Sequence, residues 1–256
     1  MIAGLLATQE YSTWIYSLII ISAIGTSFLI SRFSPNQLAL DFSQKVKLGL
    51  GGFFGAMIGA KLPFLFNDWE GLLSGVAWFS SGKTILTGLA GGYVGVELTK
   101  RLLEIKTGTG DSFVIPVAVA IGIGRLGCFY AGCCYGMPTS VPWGVVFECV
   151  DQQARHPTQI YESLFHLGFA AIAIWMGYRR LFAGNRFKIY LVCYAAYRFL
   201  TEMIRPEERW PGGMTPYQYA SLIMIAVFLW LWIKDERKSD RADEESVREQ
   251  GAVQDH

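Results

Sequence analysis

Arginine placed where a membrane helix should be apolar is the chemistry to start from. Arg125 stands in an apolar run, Phe113 to Phe129, that otherwise reads as a membrane-spanning helix. A guanidinium stays charged at any usable pH, and at membrane depth it costs about 3 kcal/mol or more. Such a group must face the protein interior, and a phosphate-bearing anion is the ligand it suits. Arg198 and Lys61 repeat the pattern in two further apolar segments. Tyr190, Tyr194, Arg198, Glu202 and Arg205 recur at steps of four, four, four and three, which places them along one helix face. Arg198 can pair with Glu202, and Glu202 can also reach Arg205. Two arginines against one glutamate leave the positive surplus that the wall of an anion cavity needs. An ion-pair ladder between helices is the purely structural alternative.

A second polar face opens at His156-Pro157-Thr158-Gln159-Ile160-Tyr161-Glu162, where the proline suits the start of a helix. Gln159, Glu162 and His166 then share a face at i, i+3 and i+7. His166 is expected to back Glu162, and His156, at the outer membrane edge, could accept a proton. Cys128, Cys133, Cys134 and Cys149 lie near that same edge, with Cys193 inside the membrane. None has the C-x-x-C spacing, so no metal site is expected. A disulfide from Cys133 or Cys134 to Cys149 stays open, as does a nucleophilic Cys128 or Cys133 beside His156. Gly122-Ile123-Gly124-Arg125-Leu126-Gly127 matches a dinucleotide fingerprint by its letters alone, because it lies in an apolar run and not between a strand and a helix. Gly124 and Gly127 are expected to expose backbone N–H groups around Arg125 to an anionic head.

The elements that must carry these residues are membrane helices. The chain has 256 residues, 52% of them hydrophobic, and a mean hydropathy of +0.32. That suits an all-α polytopic membrane protein better than a soluble domain. About seven segments are long enough to span, near 13–31, 46–66, 84–103, 113–130, 158–178, 186–204 and 215–233. Net charge is +1, so nothing points to nucleic acid. Arg32, Lys45 and Lys47, then Lys100, Arg101 and Lys106, then Arg179, Arg180, Arg186 and Lys188 crowd one set of connections, and Lys234, Arg237, Lys238, Arg241 and Arg248 of the tail join them. The positive-inside rule puts that side in the cytoplasm and the N-terminus outside. No cleavable signal is evident.

Residues 1–233 therefore read as one seven-helix membrane domain. Its longest connection, 131–157, forms a small external head between helices 4 and 5, and Trp143 to Phe147 could be a short strand. Residues 234–256 read as a charged, disordered cytoplasmic tail. Gly51, Gly55 and Gly59, and again Gly91 and Gly95, have the four-residue spacing that lets helix backbones approach closely. The Asn67 to Lys83 loop, with Trp69, Trp78 and Phe79, reads as interfacial anchoring.

Taken together, three blocks resemble the prolipoprotein diacylglyceryl transferase family. They are Gly124-Arg125-Leu126-Gly127-Cys128-Phe129 through Gly136, the His156 to Glu162 block, and Tyr194, Arg198, Glu202 and Arg205 at their spacing. Thr215 with Gln218 and Gly59-Ala60-Lys61-Leu62 also fit, so the likeness covers roughly residues 13–233. The resemblance implies a phospholipid-dependent transferase of the bacterial inner membrane. Such an enzyme moves the diacylglyceryl group of phosphatidylglycerol to the lipobox cysteine thiol of a prolipoprotein and releases glycerol phosphate, without a cofactor. Arg125 and Arg198 match the family's catalytic arginines, Glu202 and Arg205 its supporting pair, and Tyr16 and Tyr194 its tyrosines. Gly124, Gly127, Cys128, Gln159, Tyr161 and Glu162 fall in its substrate-binding blocks. The family's histidine before Gly-Gly-Leu falls on Leu86, its asparagine on Cys128 and its loop glutamate on Cys133. A transferase with another acceptor, or a phospholipid-binding or transport protein without turnover, are the competing readings.

Overall fold

The computed structural model describes residues 9–33, 40–64 and 84–254. Among them are seven α-helices: α1 (Gln9–Phe33), α2 (Phe42–Lys61), α3 (Ile85–Leu102), α4 (Gly110–Tyr130), α5 (Thr158–Tyr178), α6 (Arg186–Thr201) and α7 (Pro216–Gln254). Four contain stretches long and apolar enough to cross a membrane: Trp14–Ser31, Gly110–Tyr130, Thr158–Tyr178 and Pro216–Lys238. The other three fall short of that mark: α2 and α3 carry lysines and glycines, and α6 has only 16 residues, Arg186, Lys188 and Arg198 among them. The expected Asn67 to Lys83 anchor lies outside the described residues.

Packing follows the small residues. α2 lies on α3 along its glycines, where a Cβ on Gly55 would collide with the Gly91 carbonyl and one on Gly59 with the Thr87 carbonyl. Direct backbone contact is what the four-residue spacing foretells. α1 lies on α4, α4 on α5, and α6 on α7. Leu86, Val114, Ile115, Ala173, Tyr190 and Leu191 are almost wholly shielded at the centre. Outward faces stay apolar, as with Ile21, Ile24 and Phe28 on α1, which suits contact with lipid.

Two local features set up the site. Arg205 precedes Pro206, which disfavours helical backbone there. Accordingly α6 tightens into a 3-10 turn at Glu202–Ile204, and Arg205 is extended at φ −104°. The next helix starts with a reciprocal cap: Gln218 N–H donates to Thr215 Oγ1 at 3.2 Å, and Thr215 N–H to Gln218 Oε1 at 3.0 Å. Pro216 occupies the first helical position, where its missing N–H is no loss.

Residues 131–157 contain a two-residue hairpin, β1 (Val145–Val146) antiparallel to β2 (Ala154–Arg155). β1 falls within the predicted strand. Arg155 braces the hairpin by pairing with Asp151 and lying over the Tyr135 ring, 5.0 Å from its centroid. The loop docks onto the 3-10 turn through Met137 N–H to Ile204 O at 2.8 Å. α7 continues to Gln254, through the segment that composition reads as a charged tail. Glu, Arg and Lys supply nine of the sixteen residues of 234–249, with no glycine or proline before Gly251, and those three favour helix even without apolar packing.

Candidate active site

The polar faces of α4, α5 and α6 meet at one carboxylate. Glu162 is wholly shielded, with Arg125 Nη2 2.8 Å from its Oε1 and Arg205 Nη2 2.9 Å from its Oε2. Tyr194 donates its hydroxyl to Oε1 at 2.5 Å. His166 sits behind, Nε2 3.9 Å from Glu162 and Nδ1 2.8 Å from the Tyr190 hydroxyl, as the shared face of Gln159, Glu162 and His166 predicts. Ser163 ties this face to α4 by donating to Gly122 O at 2.7 Å.

Arg198, on α6, holds Glu202 instead. Its Nη2 is 2.8 Å from Oε2, but out of line for a hydrogen bond, so the contact is one of charge alone. The guanidinium lies over the Tyr217 ring, 5.2 Å from its centroid, and Thr215 Oγ1 donates to Glu202 Oε1 at 3.2 Å. The α7 cap thus also positions Glu202. Sequence reasoning missed this role of Thr215, although the Thr-Pro-x-Gln pattern signals a helix start.

One predicted pairing is corrected. Arg205 bonds Glu162 and not its near neighbour Glu202. Helical spacing put the two on one face, but the 3-10 turn ends the helix before Arg205 and sends its side chain toward α5. The cluster therefore holds three guanidiniums and two carboxylates, all buried. One positive charge stays uncompensated. Among the described residues three N–H groups of this cluster also lack a partner: Arg125 Nε, Arg198 Nη1 and Arg205 Nε. A buried donor left unsatisfied costs about 1–3 kcal/mol, more when charged.

The remaining residues divide. Tyr16 packs its ring where a Cβ on Gly127 would sit, 3.2 Å from it, and neighbours Arg125 and the Cys128, Cys133 and Cys134 thiols electrostatically. Gly124 and Gly127 lie inside α4 and face Ile20 and Tyr16 of α1. They give α1 room to approach, and their N–H groups are not presented to a ligand as expected, because a continuing helix uses its own amides. His156 does not join the cluster: Nδ1 is 3.3 Å from the Tyr161 hydroxyl, which accepts from Trp143 Nε1 at 2.7 Å. Gln159 Nε2 donates to Cys133 O at 2.6 Å. Lys61 is buried at the end of α2. All five cysteines are free thiols, so the considered disulfide to Cys149 is not formed. A separate apolar cavity of about 570 Å³ runs between α2, α3 and α4, lined by Gly52, Ala56, Gly88, Gly92, Val117 and Phe187 among others.

A sequence model of a family described as prolipoprotein diacylglyceryl transferase matches residues 5–234. A phosphatidylglycerol–prolipoprotein diacylglyceryl transferase of Solidesulfovibrio magneticus is 30% identical, over 84% of this chain and 88% of its own length. One from Legionella pneumophila is 33% identical, over 78% and 80% respectively. One from Clostridium tetani is 30% identical, over 72% and 78%.

Proposed function

Because the chain belongs to the prolipoprotein diacylglyceryl transferase family, we propose that it moves the diacylglyceryl group of phosphatidylglycerol to the lipobox cysteine thiol of a prolipoprotein, releasing glycerol phosphate. The observation that carries this is the uncompensated charge of the Arg125, Arg198 and Arg205 cluster with its three unused N–H donors. In this reaction the acceptor sulfur attacks a glycerol carbon, the C–O bond to phosphate breaks, and the electron pair leaves on the phosphate oxygen. Fixed guanidiniums in a water-poor site stabilise that charge as it develops. Arg125 and Arg198 grip the phosphate from separate helices. Arg205 and Glu162 hold Arg125 in place, and Glu202 does the same for Arg198.

Gln159, Tyr161, Tyr194, Tyr16 and Cys128 form the surroundings of the lipid head and acceptor, with His156 as proton acceptor at the loop side. The apolar cavity between α2, α3 and α4 takes an acyl chain; its volume is in the range of about 300–1,000 Å³ usual for ligand pockets. Seven spans, an outside N-terminus, an external head at 131–157 and a cytoplasmic tail complete the reading, in the bacterial inner membrane. Loop charge supports that orientation. A second reading, the same donor with another acceptor, is favoured by Leu86. It stands where the family has a histidine, and it lies 2% exposed in the apolar core.

The test uses purified protein in bilayer discs, labelled phosphatidylglycerol and a lipobox peptide. A thioether-linked product that vanishes in Arg125→Ala and Arg198→Ala is the expected outcome. Glycerol phosphate released only with a different acceptor selects the second reading. No release with any acceptor from folded protein contradicts both.

A further inference from the structure

Cys128 and the adjacent pair Cys133 and Cys134 bring three thiols together at the end of α4. Gly132 and Cys134 both take left-handed backbone, φ +64° and +62°, and the chain folds back so that Cys133 N–H bonds Cys128 O at 3.1 Å. The sulfurs of Cys128, Cys133 and Cys134 all lie within 4.8 Å of one another. Two buried side chains at the head of α5 hold this fold-back from beneath. Gln159 grips Cys133 O, and Thr158 Oγ1 donates to Cys134 O at 2.7 Å. Cys133 and Cys134 are exposed and Cys128 partly so, which leaves one side of the thiol triangle open. Cys149 stands apart, its Sγ 3.8 Å from Gly132 O.

We propose that Cys128, Cys133 and Cys134 form a three-thiolate site for zinc, whose open fourth position takes the sulfur of the acceptor thiol. Three thiolates on a tetrahedral zinc at about 2.3 Å stand about 3.8 Å apart, so the sulfurs must close by about 1 Å at most. Three protein ligands with one open position is the pattern of a catalytic zinc, and thiolate ligands select soft cations. The filled site carries a net charge of about −1, and Arg125 stands three residues before Cys128 on the same helix, within the reach of its charge. Zinc deprotonates a bound thiol outright, a task for which the two carboxylates of the arginine cluster are poorly free. Glu162 already accepts from three donors, and Glu202 is held by Arg198 and Thr215.

The inference rests on the transferase reading. The acceptor S–H gives its proton to water or His156, and its sulfur binds zinc. The sulfur lone pair then forms the S–C bond as the C–O bond breaks toward glycerol phosphate. The neutral thioether leaves zinc, and nothing is oxidised or reduced.

Metal analysis of protein purified under reducing conditions, followed by titration with Zn²⁺ and Co²⁺ alone, tests the site without activity. One zinc per chain, thiolate-to-cobalt absorption in the near ultraviolet, and loss of both in Cys133→Ser or Cys134→Ser are expected. Chelation is then expected to lower lipobox-peptide transfer at least tenfold, with recovery on adding Zn²⁺. Three freely titrating thiols with no bound cation at micromolar Zn²⁺ would overturn the site, as would a disulfide between two of them in active protein. Full transfer by the triple serine variant overturns thiol activation while leaving the transferase reading intact. Zinc bound in a protein whose Arg125→Ala variant transfers normally sustains the cation site and counts against the arginine chemistry instead.

Discussion

Glu162→Gln is the sharpest perturbation of the arginine cluster. The wild-type carboxylate is wholly shielded and accepts from Arg125 at 2.8 Å, Arg205 at 2.9 Å and Tyr194 at 2.5 Å. Glutamine keeps the shape but turns one of the two acceptors into a donor. Either Arg125 or Arg205 must then face an N–H group, and three guanidiniums are left against Glu202 alone. Breaking a buried ion pair by removing one partner costs about 3–5 kcal/mol. For a chain of this size that corresponds to a fall on the order of 10 °C in the unfolding midpoint. Thermal unfolding in detergent with a neutral lipid measures it directly. Adding phosphatidylglycerol is expected to raise the variant's midpoint more than the parent's, because an anion then neutralises charge that Glu162 no longer does. A variant that melts within about 2 °C of the parent, with or without the anionic lipid, would refute the claim that Glu162 balances these arginines.

Three further outcomes are expected. Arg198→Lys loses most of the transferase activity while folding normally, since an ammonium cannot both contact Glu202 and present a second N–H at the Nη1 position; near-parental turnover would show that Arg198 does not grip phosphate. Gly91→Leu, whose side chain would strike Gly55 O and the Gly59 backbone, separates α2 from α3 and should lower the yield of folded protein severely, whereas an equal yield from Gly25→Leu, a position open on all sides, serves as the control. The Arg155 guanidinium, hydrogen-bonded to Asp151, holds that carboxyl below its usual range, so the pairing's contribution is complete above about pH 3.9 and is lost as pH falls through the depressed value. Amide exchange in the β1–β2 hairpin should therefore be flat from about pH 8 to pH 5 after correction for intrinsic rates, and loss of protection within that window would contradict the pairing.

The parts of this molecule that repeat with a helical period were legible before any coordinates. The Gly51, Gly55 and Gly59 ladder meets Gly91 and Gly95 because four-residue spacing alone puts small residues on one face. The same holds for Tyr190, Tyr194 and Arg198, and for Gln159, Glu162 and His166, which are all buried inward. What escaped depends on where helices stop. Arg205 reaches Glu162 only because the helix breaks ahead of Pro206, so extending the period one turn too far assigned it the wrong partner. The three thiols converge only through two left-handed residues at Gly132 and Cys134, and no spacing rule encodes that reversal.

The most direct measurement is a structure with phosphatidylglycerol or glycerol phosphate bound, read at the unused donors of the cluster. Phosphate oxygens are expected at about 2.7–3.0 Å from Arg125 Nε and Arg198 Nη1, with the Arg125–Glu162 and Arg198–Glu202 contacts retained. A headgroup resting elsewhere, with those two N–H groups turned to water or to backbone carbonyls, would contradict the assignment of the cluster as the phosphate site.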